Sequence, residues 1–274
     1  MQAGIFAKTF SASGAPGALK AAKTAGFDTV QFNMACCGLP AMPDQIAPGT
    51  IAEIADASRE TGVSIAAISA TYNMIHPDPK VRADGMRKLE VIIKASRAMG
   101  TNLVTLCTGT RDAEDQWRHH PDNQGAQAWR DLLTEMAKAA ALAEAHGVYL
   151  GIEPELANVV NSADAAKRLL KEVGSPRLRI VLDPANLFET ASEQERKNII
   201  AHAAETLAGS ISMAHAKDRS ASGGFVAAGT GVIDFPHFLA CLRQTGFDGP
   251  LVAHGLSESE APAVAAFLAK AMRA

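Results

Sequence analysis

The fold is decided by residues 146–155, which read HGVYLGIEPE. An alanine-rich stretch typical of a helix ends at the glycine, an apolar run of strand length follows it, and the run stops at Glu153. Glycine just past a helix terminus accepts the left-handed backbone that caps the helix. The stretch therefore predicts a helix that ends at Gly147 and leads into a buried strand with a charged side chain at its far end.

The same junction recurs along the chain. Six more glycines stand between a helical stretch and an apolar run, and they are Gly26, Gly62, Gly100, Gly174, Gly209 and Gly246. The spacing between successive glycines runs from 27 residues (147 to 174) to 47 residues (100 to 147). Each interval has room for one strand, one loop and one helix, which is the unit that joins parallel strands.

Eight strands are predicted from these runs. They are Ile5–Ala7, Thr29–Asn33, Val63–Ser69, Leu103–Cys107, Val148–Glu153, Leu178–Asp183, Ile211–His215 and Leu251–His254. Helical stretches rich in Ala, Leu, Lys and Glu separate them, and the composition does not change along the chain. Eight alternating units predict a single (β/α)8 TIM barrel domain that spans residues 1–274. A doubly wound open sheet is the alternative.

Composition excludes several classes of protein. The net charge of −3 gives no basic excess, so we expect no nucleic-acid partner. No apolar run reaches the roughly 18–20 residues that span a bilayer, and the N-terminus does not resemble a signal peptide, so we expect no membrane association. The four cysteines form no C-x-x-C pair. Reduced thiols in the cytoplasm are the expectation.

Two long segments follow predicted strands and should lie at the carboxyl face, where barrel enzymes build their sites. The segment from Gly109 to Gly125 carries Arg111, Trp117, His119 and His120, and His76 follows an earlier strand. We expect this segment to cover the site, with Arg111, His76 and His120 as candidate substrate-binding residues. At most one of the two adjacent histidines should point inward. The second segment, Lys217 to Val232, is rich in Gly, Ser and Ala and is expected to be a loop.

Four consecutive strands end in side chains that bind metals: Glu153, Asp183, His215 and His254. A carboxylate that ends an apolar strand must be paired, hydrogen-bonded or metal-bound, because an isolated buried charge is too costly. Any one of the four is well explained as part of a structural ion pair or a packed histidine, but all four together favour one divalent ion. Mn²⁺ is favoured, with Zn²⁺, Co²⁺ or Mg²⁺ as alternatives.

The chain resembles the xylose isomerase-like family of TIM barrels, specifically its sugar-phosphate isomerase/epimerase branch. The resemblance covers nearly the whole chain and rests on the motifs IEPE (152–155), LDPAN (182–186), HAKD (215–218) and GTGVIDF (229–235). It implies that Glu153, Asp183 and His215 bind the metal and that Glu153 also carries a proton. The last strand of the family's ketose epimerases usually ends in a second glutamate, and here His254 stands at that position.

Together, the barrel, the candidate metal ligands and the family resemblance predict a sugar isomerase or epimerase. A divalent ion would chelate the carbonyl and a neighbouring hydroxyl of an open-chain sugar or sugar phosphate and acidify a carbon-bound proton. Glu153 would remove that proton to give a metal-held enediolate. His254 would be a fourth ligand or a second base. Lys217 would stabilise negative charge or hold an anionic substrate group, unless it only forms a surface salt bridge with Asp218.

Other functions fit the same residues. A metal-dependent dehydratase, or a hydrolase that uses metal-bound water, would share the barrel and the metal site. Since His254 replaces the expected glutamate, a barrel that binds a sugar without converting it is a further alternative. A homo-oligomer is possible, because barrels of this type commonly pair.

Overall fold

The computed structural model describes residues 1–273, which contain nine β-strands and eight α-helices. The strands are β1 (Gln2–Phe6), β2 (Thr29–Phe32), β3 (Ser64–Ser69), β4 (Leu103–Cys107), β5 (Tyr149–Glu153), β6 (Leu178–Leu182), β7 (Ile211–Arg219), β8 (Phe225–Ala227) and β9 (Pro250–Ala253). The helices are α1 (Gly14–Ala25), α2 (Pro48–Thr61), α3 (Pro79–Ser96), α4 (Ala126–His146), α5 (Ala163–Val173), α6 (Glu193–Thr206), α7 (Phe235–Gln244) and α8 (Ala261–Ala271).

Eight parallel strands close on themselves. Hydrogen-bonded neighbours run in the order β6-β5-β4-β3-β2-β1-β9-β7, and pairing of β6 with β7 completes the circle. The TIM barrel predicted from the sequence is therefore confirmed, and the open sheet is excluded. The junction at Gly147 also forms as expected, since that glycine caps α4 with a φ of 67°.

The segment after His215 differs from its prediction as a loop. Strand β7 continues to Arg219, and its last three residues pair antiparallel with β8. The reason lies in Asp218, whose buried carboxylate accepts hydrogen bonds from the backbone N–H groups of Arg219, Gly229, Gly231 and Ile233 at 2.8–3.0 Å. One side chain thus fixes both ends of the returning segment, and the hairpin projects over the carboxyl face of the barrel.

The hydrophobic core has two parts. The larger lies between the strands and the surrounding helices, and the smaller fills the inside of the barrel. No α-helix among residues 1–273 is long and apolar enough to cross a membrane.

The inside of the barrel is filled by one side chain or glycine from each strand, which we call the lower layer. It consists of Gly4, Thr29, Ala67, Leu103, Gly151, Val181, Met213 and Val252. The packing is tight at Gly151, where an added Cβ would lie 2.8 Å from a methyl carbon of Val181. Because strand side chains alternate, the residue two positions further along each strand faces the same interior, one level closer to the carboxyl face.

Candidate metal centre and substrate cavity

The next level of interior side chains, which we call the upper layer, is almost entirely polar. It consists of Phe6, Gln31, Ser69, Thr105, Glu153, Asp183, His215 and His254, each two residues beyond a member of the lower layer. Seven of these eight residues line one cavity of about 1080 Å³, and Asp183 is completely buried beneath it. Strand alternation therefore places four predicted site residues on the interior, and closure of the barrel brings them together.

Three of them form a compact cluster. His215 Nδ1 lies 3.1 Å from Glu153 Oε1 and 3.7 Å from Asp183 Oδ2. One ligand atom from each residue lies within 4.8 Å of the ligand atoms of the other two. The arrangement is that of a group that could hold a metal ion.

Two further side chains hold the carboxylates in place. Asn186 donates from Nδ2 to Glu153 Oε1 at 2.8 Å and accepts from Lys217 Nζ at 2.9 Å. The Lys217 ammonium also lies 3.1 Å from Asp183 Oδ2. Lys217 is therefore buried at the site, and its partner is Asp183 rather than Asp218, which is occupied by backbone N–H groups.

The charges of the cluster depend on one another. Burial alone lowers the pKa of His215, but the Glu153 and Asp183 carboxylates outweigh burial and raise it to about 9. Burial raises the pKa of Asp183, but Lys217 and His215 outweigh burial and hold it below its usual range. The two carboxylates thus favour positive charge on the His215 imidazole, and a metal cation bound between them would replace one of its protons.

His254 lies beside this cluster. Its ring stacks on Phe6 with centroids 5.3 Å apart, and its edge meets the His215 ring, also at 5.3 Å. Burial and the neighbouring His215 and Lys217 lower its pKa to about 3, so the ring is neutral. His254 is not part of the group whose ligand atoms lie within 4.8 Å of one another.

The cavity extends from the upper layer towards the two segments above it. The side chains that line this outer part of the cavity include Lys8, Trp117, His119, Glu155 and Phe225. Trp117 and Phe225 are each 51% exposed. Burial and the charge of Glu153 raise the pKa of Glu155 to about 8.

Three predicted substrate-binding residues lie elsewhere. Arg111 is ion-paired with Asp131 and donates to the carbonyl of Ile75. His76 bonds through Nε2 to the carbonyl of Ala113, and His120 accepts from the N–H of Asp122. None of the three belongs to the lining of the cavity, whereas His119 does.

Sequence reasoning missed two polar residues at the centre. Gln31 interrupts the buried strand TVQF, and Asn186 follows Asp183 by three residues. An amide within a fully buried strand must find hydrogen-bond partners, so Gln31 carried a readable signal, whereas Asn186 lies in the turn after β6. The partner across the barrel, 184 residues away in the case of Gln31 and His215, was not readable.

Buried polar atoms that lack hydrogen-bond partners indicate that the site fits a divalent ion. Asp183 Oδ2 is buried and accepts no hydrogen bond from the described chain, although Lys217 Nζ lies nearby. His254 Nδ1 is also without a hydrogen-bond partner among residues 1–273, but it lies beside the three-residue group and not within it. Buried polar atoms normally have partners, and two carboxylates with imidazole make a donor set suited to Mn²⁺, Co²⁺ or Zn²⁺.

Comparison with known proteins gives concordant results. The sequence model of the xylose isomerase-like TIM barrel matches residues 19–273. L-ribulose-5-phosphate 3-epimerase UlaE of Escherichia coli is 26% identical over 249 residues, which are 88% of this chain and 82% of that protein.

Solved structures show the same fold. A structure of L-ribulose 3-epimerase superposes with a TM-score of 0.75 at 23% identity, over 99% of this chain and 94% of the other. The 3-keto-D-glucoside 4-epimerase YcjR from E. coli superposes with a TM-score of 0.76 at 17% identity, over the full length of both chains.

Proposed function

This chain belongs to the xylose isomerase-like TIM barrel family, and from that premise we propose that it is a divalent-metal-dependent epimerase or isomerase of a small ketose. The observation that carries the proposal is the cluster of Glu153, Asp183 and His215 at the floor of the cavity. Sugar epimerases among its relatives support the same chemistry.

The metal would be held by these three side chains. Manganese is the ion we propose, because carboxylates suit Mn²⁺ and imidazole is compatible with it. When bound, the ion would polarise the substrate carbonyl and acidify the adjacent C–H bond.

Glu153 is the proposed base. Its Oε1 atom is occupied by Asn186 and faces His215, which leaves Oε2 to take a proton from a substrate above it. Asn186 in turn is held by Lys217, so a carboxylate that swings away from the cavity loses a hydrogen bond from a fixed donor. A base held in one orientation contributes most when the proton lies within hydrogen-bond reach.

His254 is the proposed second proton carrier. Epimerisation needs a proton returned to the opposite face of the same carbon, and the family's usual glutamate for that step is absent here. His254 occupies its strand end, lines the cavity and lies outside the three-ligand cluster. Its neutral imidazole can relay a proton through its two nitrogens.

The test follows the substrate carbon in deuterated water. Wild-type protein loaded with Mn²⁺ is incubated with free and 5-phosphorylated pentuloses and with free hexuloses. Epimer formation is measured by chromatography and deuterium incorporation by mass spectrometry. Glu153→Gln should abolish both signals, whereas His254→Gln should keep metal binding and deuterium incorporation but lose most epimer formation.

Two outcomes would contradict the proposal. A wild-type protein that binds ketoses but gives neither epimer nor exchange is a sugar-binding barrel. Full epimerisation by His254→Gln would remove His254 from the mechanism and leave Glu153 acting with another proton carrier.

A further inference from the structure

Gln31 contacts the edge of the His215 imidazole that points away from Glu153 and Asp183. His215 Nε2 lies 2.8 Å from Gln31 Oε1, on the opposite side of the imidazole from the Nδ1 atom that faces Glu153 and Asp183. Both side chains are buried, with 5% and 1% of their surface exposed, so water does not compete for this contact. The contact joins β2 to β7, which are not neighbours in the barrel, so it crosses the interior.

The Gln31 amide is itself held on its other side. Its Nε2 group donates to Ser69 Oγ at 2.8 Å and to Thr105 Oγ1 at 3.2 Å, and both hydroxyls are buried. These two acceptors take the two amide N–H bonds and leave Oε1 directed at His215. The upper layer thus contains a chain of contacts from β4 and β3 through β2 to the imidazole on β7.

We propose that Gln31 is a positioning residue for the metal centre, which accepts the Nε2–H of His215 and so directs the lone pair of Nδ1 at the ion. The inference rests on the proposed metal site. Neutral imidazole carries one N–H, and a partner that accepts it decides which nitrogen remains free as a ligand. With Nε2–H engaged by Gln31, Nδ1 is the free nitrogen, and it is the one that faces both carboxylates.

The test compares Zn²⁺ affinities of four proteins by competition with a chromogenic chelator. Gln31→Met removes the acceptor, and affinity should fall about 10–100-fold, the range for loss of a partner that orients a ligand. Gln31→Glu keeps an acceptor at the same place, and affinity should stay within about threefold of wild type or rise. Thr101→Val removes hydrogen bonds to the Ala66 carbonyl and from the Leu103 N–H at the opposite end of the barrel, and should leave the Zn²⁺ affinity unchanged.

A spectroscopic readout separates positioning from general loss of structure. Long-range ¹H–¹⁵N spectra of the Zn²⁺-loaded wild type should show the ring that responds to zinc protonated at Nε2 and unprotonated at Nδ1. Proton attachment at Nδ1, or equal affinity of Gln31→Met and wild type, would overturn the proposal. If wild type and Asp183→Asn bind zinc equally weakly, the metal site itself is wrong, which is a different failure.

Gln31→Met could lose affinity by unfolding, so its thermal transition without metal is recorded beside that of wild type. Ser69→Ala with Thr105→Val provides the second variant, since it releases the amide while keeping Gln31. Its affinity should also fall, by less than that of Gln31→Met. Unchanged affinity in this double variant, together with a folded but weakly binding Gln31→Met, would show that the hydroxyls do not orient the amide.

Discussion

Asp218 offers the sharpest test of how the hairpin is held over the site. Its two carboxylate oxygens accept four backbone N–H groups, two each: Oδ1 takes Arg219 and Ile233, and Oδ2 takes Gly229 and Gly231. Asp218→Asn has nearly the same shape, but its amide nitrogen must face one of these pairs whichever way it turns. Two hydrogen bonds are lost, and two backbone N–H donors are left facing the side-chain NH2 group, which is itself a donor.

A buried unsatisfied donor costs about 1–3 kcal/mol, and the amide nitrogen can face the Gly229 and Gly231 donors, which are only partly buried. The free energy of unfolding should therefore fall by about 2 kcal/mol, the lower end for two donors. At about 2–4 °C per kcal/mol for a chain of this size, the melting temperature should fall by at least ~4 °C. Chemical denaturation followed by circular dichroism measures the first quantity and calorimetry the second.

Asp234→Asn is the matched control. Asp234 caps α7 by accepting one N–H from His237, and asparagine caps helices about as well as aspartate. The variant also loses a partly exposed ion pair with Lys197, so its stability should change by less than about 1 kcal/mol. If Asp218→Asn loses no more than this control, the four hydrogen bonds do not stabilise the hairpin as argued.

Three more predictions follow from the site and its surroundings. Removal of bound metal with a chelator should lower the melting temperature and added Mn²⁺ should restore it, since an ion at 100 times its dissociation constant adds about 2.7 kcal/mol; a transition that ignores both additions counts against the site. Gly151→Ala should destabilise the barrel by about 1–3 kcal/mol through contact of the new Cβ with Val181, measured by denaturation against Gly49→Ala, where the space is open. Burial, Glu53 and Cys36 raise the pKa of Cys37 to about 11, so at pH 8 its alkylation by iodoacetamide, followed by mass spectrometry, should be on the order of a hundredfold slower than that of free cysteine; equal rates would show a thiol in an ordinary environment.

The sequence predicts what depends on local pattern. The barrel follows from glycines such as Gly147 that end helices, and the upper layer follows from strand ends such as Glu153 and Asp183, because alternation along a strand is fixed geometry. Local pattern does not predict which distant segments contact each other. Arg111 is drawn out of the cavity by Asp131, a partner on the following helix, and Gln31 meets His215 only because the barrel closes.

The two interior layers have different roles, one in packing the barrel and one in presenting polar groups to the cavity. The lower layer is small and mostly apolar and fills the barrel, while the upper layer carries polar groups supplied one per strand. Each upper position lies two residues beyond its lower neighbour on the same strand, so a single substitution there leaves the packing beneath it in place. A barrel built in this way is modular: evolution can alter which groups meet the substrate one strand at a time, while the scaffold that presents them stays intact.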